Sequence, residues 1–314
     1  MKQKLSLPDI LLCIGLLCAF ALLLYAVYGS RAPLPAAPAA TPVPAQTEAA
    51  VSPQSTLKIH VLDVGQGNCA VLQSPNGKTM LIDTGEKENA AAITRFLQEQ
   101  GIEKLDMAVA THPHQDHMGG MAVLLRKFSP SVLLLPDAPN DIPEYDAMRK
   151  AADAVNAQIV HPGVEQVIPW DADVTVTAFA PFTGLAQLQL DLNEQSLVLH
   201  IRFGDTAILF TGDAGYAAEE TLLKLLRKSA LRADVLLVGH HGSSDATTPR
   251  FLHAIAPSYA VISCGRGNAY GHPHQSVLNL LAQQQIKVYR TDTQGDVHIV
   301  MDGKTVSVTA EKEA

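Results

Sequence analysis

Ten residues, Thr111-His-Pro-His-Gln-Asp-His-Met-Gly-Gly120, carry His112, His114, Asp116 and His117 within six positions, directly after the apolar run Leu105-Asp-Met-Ala-Val-Ala110. Imidazole and carboxylate at that density offer enough donors for two metal ions. The apolar run reads as a short buried strand and Met118 to Phe128 has helical spacing, so the donors sit on a strand-to-helix turn. Donors at the carboxyl end of a strand face one crevice, where open α/β sheets put their sites. His112 and His114, two apart in extended chain, can point the same way and share one ion, while Asp116 and His117 turn the corner toward a second. Such a nitrogen and carboxylate set admits zinc, manganese or iron. The bland alternative is a histidine-rich surface loop. Four donors in this spacing, between a strand and a Gly-Gly helix start, seldom arise without a metal.

Three further stations follow the same logic. Thr211-Gly-Asp213 ends the apolar run Ala207 to Phe210, and the two carboxylate oxygens of Asp213 could bridge two cations. Standing alone, it would be read as a turn Asp before a helix. Val238-Gly-His-His-Gly-Ser243 follows the run Ala233 to Leu237. Adjacent histidines cannot easily bind one ion, so one of His240 and His241 is expected to ligate and the other to contact substrate or support a ligand. In Tyr270-Gly-His-Pro-His274 a histidine could meet a phosphate or give a proton to a leaving oxygen. Seven of the twelve histidines fall in these clusters, which favours one composite site. His60, His161, His200, His253 and His298 are scattered and read as structural.

The elements that must position these groups follow from periodicity and turn residues. Leu57 to Val64, Ala70 to Gln73 and Thr79 to Asp83 predict a meander of three strands, and Asn89 to Gln100 predicts a helix closed by Gly101. Strands are expected at 131–135, 157–161, 174–180, 196–203, 206–211, 233–238 and 259–263, with closing strands after the last helix. Helices are expected at 145–155, 217–228, 249–255 and 275–284.

Ahead of these lies a different kind of chain. Lys2 and Lys4 precede Ile10 to Tyr28, an uncharged apolar run of 19 residues. At ~1.5 Å per residue it nearly spans a ~30 Å hydrocarbon core, so residues 1–30 predict a cytoplasmic stub and transmembrane anchor. The run is longer than a signal-peptide core, although Ala36 to Ala40 leave room for cleavage and a secreted form. The positive-inside bias puts the amino terminus in the cytoplasm and the rest outside the cell. Residues 31–55, rich in Pro and Ala, read as a tether. Residues 56–314 form the expected catalytic domain, within the size one α/β sandwich can occupy.

The net charge is −8, and beyond residue 55 remain 20 of the 23 basic and 29 of the 31 acidic residues. An acidic surface argues against tight, unspecific binding to a long polyanion, although bound cations would offset this locally. No aromatic-rich basic stripe is evident, so the sequence does not indicate a stacking platform for single strands. Of four cysteines, Cys13 and Cys18 lie in the apolar run, and Cys69 and Cys264 read as two small buried hydrophobes, not a disulfide framework.

The Thr-His-x-His-x-Asp-His turn, the later Thr-Gly-Asp and the His-His-Gly-Ser resemble the metallo-β-lactamase superfamily. Leu62-Asp-Val-Gly-Gln-Gly67, Leu81-Ile-Asp-Thr-Gly85, Asn193-Glu-Gln-Ser-Leu-Val198 and Tyr270-Gly-His-Pro273 extend the resemblance to the hydrolase domain of ComEC-type DNA-internalisation competence proteins. The resemblance implies an α/β fold, a four-layer αββα sandwich, here preceded by one transmembrane helix, with a dinuclear centre. By the family's pattern His112 and His114 bind one ion, Asp116 and His117 the other, and Asp213 bridges. His240 supplies the late ligand, with His241 as the alternative, and Asp83 orients the ligand loop. Asn193 stands where many members have another His, which implies a more weakly held or exchangeable first ion. Asn68 stands where the ComEC-like branch has an Asp. The multi-span channel of a competence protein is not in this sequence, so import of DNA by the chain itself is not expected.

These readings converge on a membrane-anchored extracellular metallohydrolase with two divalent ions, zinc or manganese, cleaving a phosphodiester such as single-stranded or short DNA. Asp116, His241 and His272 are the expected catalytic residues. The alternative substrate is a cell-envelope ester, a choline-phosphate or teichoic-acid linkage, or a β-lactam ring. A non-catalytic binding module is the reading from another class, and the full donor set stands against it. No protein partner is evident.

Overall fold

The computed structural model describes residues 55–137, 141–180 and 191–313. The predicted span Ile10 to Tyr28 and the Pro/Ala-rich tether lie outside these residues. Among the described residues no helix is long and apolar enough to cross a membrane.

Two sheets face each other. The first runs in the order β15-β14-β1-β2-β3-β4-β5-β6, where β1 is Leu57–Val61, β2 Ala70–Gln73, β3 Thr79–Ile82, β4 Met107–Val109, β5 Val132–Leu134, β6 Gln158–Val160, β14 Val297–Met301 and β15 Val306–Ala310. The second runs β13-β12-β11-β10-β9-β8-β7, with β7 Gln166–Ile168, β8 Val174–Ala180, β9 Val198–Phe203, β10 Thr206–Phe210, β11 Val235–Leu237, β12 Tyr259–Ile262 and β13 Lys287–Arg290. The expected meander is there, with β1, β2 and β3 paired antiparallel.

Alternation along the strands assigns each face. Leu199, Ile201, Phe203, Ile208, Phe210, Val235 and Leu237 point between the sheets, onto Leu57, Ile59, Val61 and Met80. Their neighbours Val198, Ala207, Leu209, Leu236 and Val238 point outward under the helices Tyr216–Leu225 (α5), Pro249–Ile255 (α6) and Gln275–Gln283 (α7). On the other sheet the outer layer is built by Ala90–Glu99 (α1), Met121–Phe128 (α3) and Pro143–Ala154 (α4). The result is the expected αββα sandwich. Full burial of each such Leu, Ile or Phe is worth roughly 1.5–3 kcal/mol, which makes the apolar interior the main stabilising term.

Two halves of the sheets are parallel, β3-β4-β5-β6 and β10-β11-β12-β13. Parallel strands put their carboxyl ends on one edge. Asp83, the ligand turn, Asp213, His240 and His241 and the loop after Ile262 all follow such strands, so the topology alone gathers them.

Two expectations about elements are corrected. The helix expected from Met118 is split into Gln115–Met118 (α2) and α3, with Gly119 and Gly120 between them, so Asp116 and His117 lie on a helical turn and not in the loop before it. The edge strand β7 was not foreseen. It has three residues, and Gln166 and Val167 face solvent, which leaves no apolar alternation to read.

A buried carboxylate links two of the outer helices. Glu219 of α5 is 1% exposed and accepts the backbone N–H groups of Thr247 (2.5 Å) and Thr248 (2.9 Å), which lead into α6. Burial, against the pull of those donors, lifts its pKa from 4.5 to about 7. The folded carboxyl keeps its proton to higher pH than the unfolded one. Its contribution is therefore most favourable below pH 4.5 and declines by about 3 kcal/mol as pH rises to about 7. Glu219→Gln removes that slope. Its amide would also face one of the two N–H groups, so urea denaturation at pH 5 should show a loss of roughly 1–3 kcal/mol. Equal stability of the variant and the parent at pH 5 and pH 8 would contradict this role.

Candidate metal centre

The ligand turn is fixed at both ends by one side chain. Asp83, 1% exposed and with φ 57°, accepts Thr111 N–H on Oδ1 (2.8 Å), and on Oδ2 it accepts Thr111 Oγ1–H (2.7 Å) and His117 Nδ1–H (2.8 Å). A non-glycine residue in the left-handed region costs free energy, and such strain clusters at functional sites. The third bond also sets the chemistry of His117. With its Nδ1–H committed to Asp83, Nε2 is the atom the ring presents to the cleft.

His241 is arranged the same way. Its Nδ1–H donates to the Ser263 carbonyl (2.9 Å), leaving Nε2 at 3.2 Å from Asp116 Oδ2, 3.3 Å from His117 Nε2 and 3.6 Å from Asp213 Oδ2. Asp213 Oδ1 lies 3.1 Å from His117 Nε2. Asp116, His117, Asp213 and His241 thus offer four donor atoms within 4.8 Å of one another, three of them on buried residues. Beside them His112 Nε2 lies 3.0 Å from His114 Nδ1 and 3.8 Å from Asp213 Oδ2, so Asp213 stands between the two pairs of the ligand turn.

Gathering these groups requires two close approaches. A side chain at Gly67, φ 140°, would strike the Asp116 carbonyl, and one at Gly242, φ 82°, would come within 2.6 Å of the Pro273 ring. Only glycine meets both demands. His240 and His241 themselves hold φ of 49° and 54°, a double left-handed turn that throws successive side chains to different sides.

That turn separates the two histidines. The sequence placed His240 with the ligands and held His241 as the alternative, whereas the structure puts His241 in the cluster. His240 pairs its Nδ1 with Asp245 Oδ1 (3.0 Å), and its Nε2 lies 3.6 Å from Asp213 Oδ2 and 3.5 Å from Asn193 Nδ2. Asp245 was missed. It lies five residues on in irregular chain, where spacing carries no signal. Asn193 and His272 both reach the cleft, a hollow of about 340 Å³ lined by Gln66, His114, Asp116, Asp213, His241 and Tyr270 among others. The scattered histidines do not line it. His60 and His298 pair across β1 and β14 (2.8 Å), while His161 and His200 bond to carbonyls.

The electrostatics of the cluster keep both of its carboxylates ionised. Burial would raise Asp213, but His117, His241 and His112 together hold it well below the usual carboxylate range. Asp116 is likewise lowered, burial being outweighed by the hydrogen bond from His241 and the charge of His117. Burial and the neighbouring His117 push His112 well below its ordinary value, which keeps it in the neutral form that ligates. His117 is the exception, raised because Asp213 and Asp83 outweigh its burial, so a metal must displace its proton. Away from this cluster, hydrogen bonding to Asp245 raises His240, and Asp245 falls to about 2. His272 is pushed down to about 4 by burial and by His241 and His240.

One atom tests whether a cation belongs here. Asp213 Oδ1 is buried and, with His117 Nε2 at 3.1 Å, accepts no well-formed hydrogen bond, a gap that a divalent cation displacing the His117 proton would fill. The mixed nitrogen and oxygen donors are those divalent metals take. The residues fit divalent metal binding.

The comparisons agree. Residues 62–266 match the metallo-beta-lactamase superfamily. The chain is 31% identical over 258 residues to ComE operon protein 3 of Bacillus subtilis, covering 76% of this chain and 32% of that protein. It is 32% identical over 244 residues to competence protein ComA of Neisseria gonorrhoeae (77% and 32%), and 30% identical over 249 residues to recombination protein 2 of Haemophilus influenzae (78% and 29%). The chain spans about a third of the length of these curated relatives. Among solved structures, the metallo-beta-lactamase fold protein YhfI from Bacillus subtilis superposes with a TM-score of 0.53 at 14% identity, over 82% of this chain and 100% of that one, a likeness of fold. With the two-sheet sandwich, the clustered donors and the sequence match in accord, the chain belongs to the metallo-beta-lactamase superfamily and carries its metal-dependent hydrolase fold.

Proposed function

We propose that the chain is a phosphodiesterase using two divalent cations, zinc or manganese, tethered to the outer face of the membrane and acting on single-stranded or short DNA. The observation that carries the reading is Asp213. Its two oxygens lie between the Asp116, His117 and His241 cluster and the His112 and His114 pair, at the floor of an open cleft. Asp116, His117, His241 and Asp213 would hold one ion, and His112, His114 and Asp213 the other.

Bound there, such cations lower the pKa of water toward neutrality and offset charge on the reacting phosphate. The chain's own groups do the rest. Asp83 and the Ser263 carbonyl take up the Nδ1–H groups of His117 and His241, so both Nε2 atoms face the cleft, and that of His117 can ligate once a metal displaces its proton. His240, paired with Asp245 through Nδ1, holds a proton on Nε2 and can pass it to the departing sugar oxygen. His272 is neutral near pH 7, and with Gln66 Nε2 donating to its Nδ1 (3.4 Å) it keeps an N–H on Nε2 for a phosphate oxygen. His272 therefore orients substrate, and proton donation falls to His240 instead of His241 or His272.

The names of the relatives, competence and recombination proteins, support a DNA substrate. The tether and outward location rest on Lys2, Lys4 and the apolar run Ile10 to Tyr28. An envelope phosphodiester is the second reading, favoured by the acidic composition, 29 acidic to 20 basic residues beyond residue 55. End-labelled single-stranded DNA and a poly(glycerol phosphate) polymer, each incubated with the protein and manganese or zinc, decide between them. Metal-dependent cleavage of DNA supports the proposal. Cleavage of the polymer with DNA untouched replaces it with the envelope reading.

A further inference from the structure

Tyr270 is 67% exposed and forms one wall of the cleft mouth. Its ring lies nearly parallel to that of His272, with centroids 5.6 Å apart at 22°, and His272 in turn stacks toward His241 at 6.2 Å and 30°. A graded set of rings therefore leads from the rim to the metal ligands.

The loop that carries Tyr270 is braced and not left to its own conformation. Asn268 Oδ1 accepts the N–H groups of both Tyr270 (3.1 Å) and His272 (3.0 Å). Its Nδ2 donates to the Gly265 carbonyl (2.8 Å) and the His272 carbonyl (2.6 Å). Gly265 N–H is held by Gln66 Oε1 (3.2 Å), in the turn between β1 and β2 of the other sheet. An aromatic ring fixed by its backbone, with an open face, loses little freedom when a second ring settles on it.

The lining of the cleft says what that second ring is. Among the described residues it contains no Lys or Arg. A polyanion entering it finds no fixed cationic side chain along its backbone, so affinity beyond the reacting phosphate must come from elsewhere. Stacking of a base on an exposed ring is the sequence-tolerant alternative.

We infer that Tyr270, backed by His272, is a stacking platform that takes an unpaired nucleobase next to the scissile phosphate, so that the site selects single strands over duplex. The inference rests on the phosphodiesterase reading above and names its substrate class. A duplex base is already stacked on both faces and must be unstacked to use the platform, whereas a single-stranded base is free to do so.

The test reads binding separately from turnover. Full-length protein in mild detergent with manganese is titrated into a fluorescein-labelled dodecathymidylate with phosphorothioate linkages, an abasic strand of the same linkages, and a blunt hairpin duplex. By anisotropy the base-bearing strand should bind roughly tenfold tighter than either of the others. Tyr270→Ala should bind the base-bearing and abasic strands alike, while Tyr270→Phe and Tyr270→Trp keep the preference. Equal binding of the two strands by the parent protein, or an undiminished preference in Tyr270→Ala, overturns the inference. The same strands with ordinary phosphodiesters report hydrolysis. Absence of cleavage there counts against the phosphodiesterase reading alone, since the binding contrast is measured without it.

Discussion

Replacing Asp213 with alanine should lower hydrolysis by roughly 10³-fold or more, the rate equivalent of the several kcal/mol a metal site contributes. The residue is 2% exposed, and its oxygens lie 3.1 Å from His117 Nε2 and 3.8 Å from His112 Nε2, so it meets both halves of the ligand turn on their cleft-facing nitrogens. A structural role makes the opposite forecast for the metal-free protein. Were Asp213 chiefly the ion-pair partner of His117, its loss would cost about 3–5 kcal/mol by leaving a buried charge unpaired. On the present account Asp213 Oδ1 accepts no well-formed hydrogen bond, and Asp83 still pairs with His117 Nδ1 when Asp213 is removed. The metal-free variant should therefore melt no lower than the parent, while the gain in melting temperature on adding zinc or manganese is lost. At a hundredfold excess over Kd that gain corresponds to about 2.7 kcal/mol. A variant that melts far lower without metal, yet still gains on adding it, would assign Asp213 to the fold instead.

Asp83→Asn should weaken metal binding by about 10- to 100-fold while leaving most of the stability in place, as expected for a group that orients a ligand without touching the ion. The asparagine carbonyl can still accept Thr111 N–H. Its amide, however, would face His117 Nδ1, where Asp83 Oδ2 now accepts at 2.8 Å. His117 would then place its proton on Nε2 and withdraw the lone pair that Asp83 keeps aimed at the cleft. Asp83→Ala goes further, since Thr111, 1% exposed, loses both its N–H and hydroxyl partners. That variant should lose roughly 1–3 kcal/mol of stability in addition. Competition with a chromophoric chelator gives the affinities and thermal denaturation the stabilities. Unchanged metal affinity in Asp83→Asn would remove the orienting role.

The ligand turn was legible because its evidence is local. Four donors in six positions after an apolar run leave few uses other than metal, and the run itself named the strand end that would carry them. The helix Pro249–Ile255 was equally clear, with Thr248 capping Phe251 N–H and Pro249 at the first turn. Strand Val174–Ala180 declared itself by alternation. What could not be read depends on backbone dihedrals and on partners distant in sequence. Nothing in the pair His240-His241 says which faces the ligands, because that follows from two successive left-handed residues and from the Ser263 carbonyl on β12's outgoing loop. Asp245 acquires meaning only once His240 is turned away from the cluster. The aromatic surface at the cleft mouth is likewise no stripe in the sequence, since it arises when Asn268 folds Tyr270 back over His272.

Dependence of hydrolysis on metal held by these side chains is measured by titrating metal-stripped protein with zinc or manganese. Bound metal is measured by elemental analysis, and hydrolysis of single-stranded DNA is followed on the same samples. Hydrolysis that is absent without metal and rises in step with occupancy to a plateau at two ions per chain is the predicted result. Hydrolysis indifferent to metal, or a fully loaded protein inert toward DNA and toward the envelope polymer, would contradict the account.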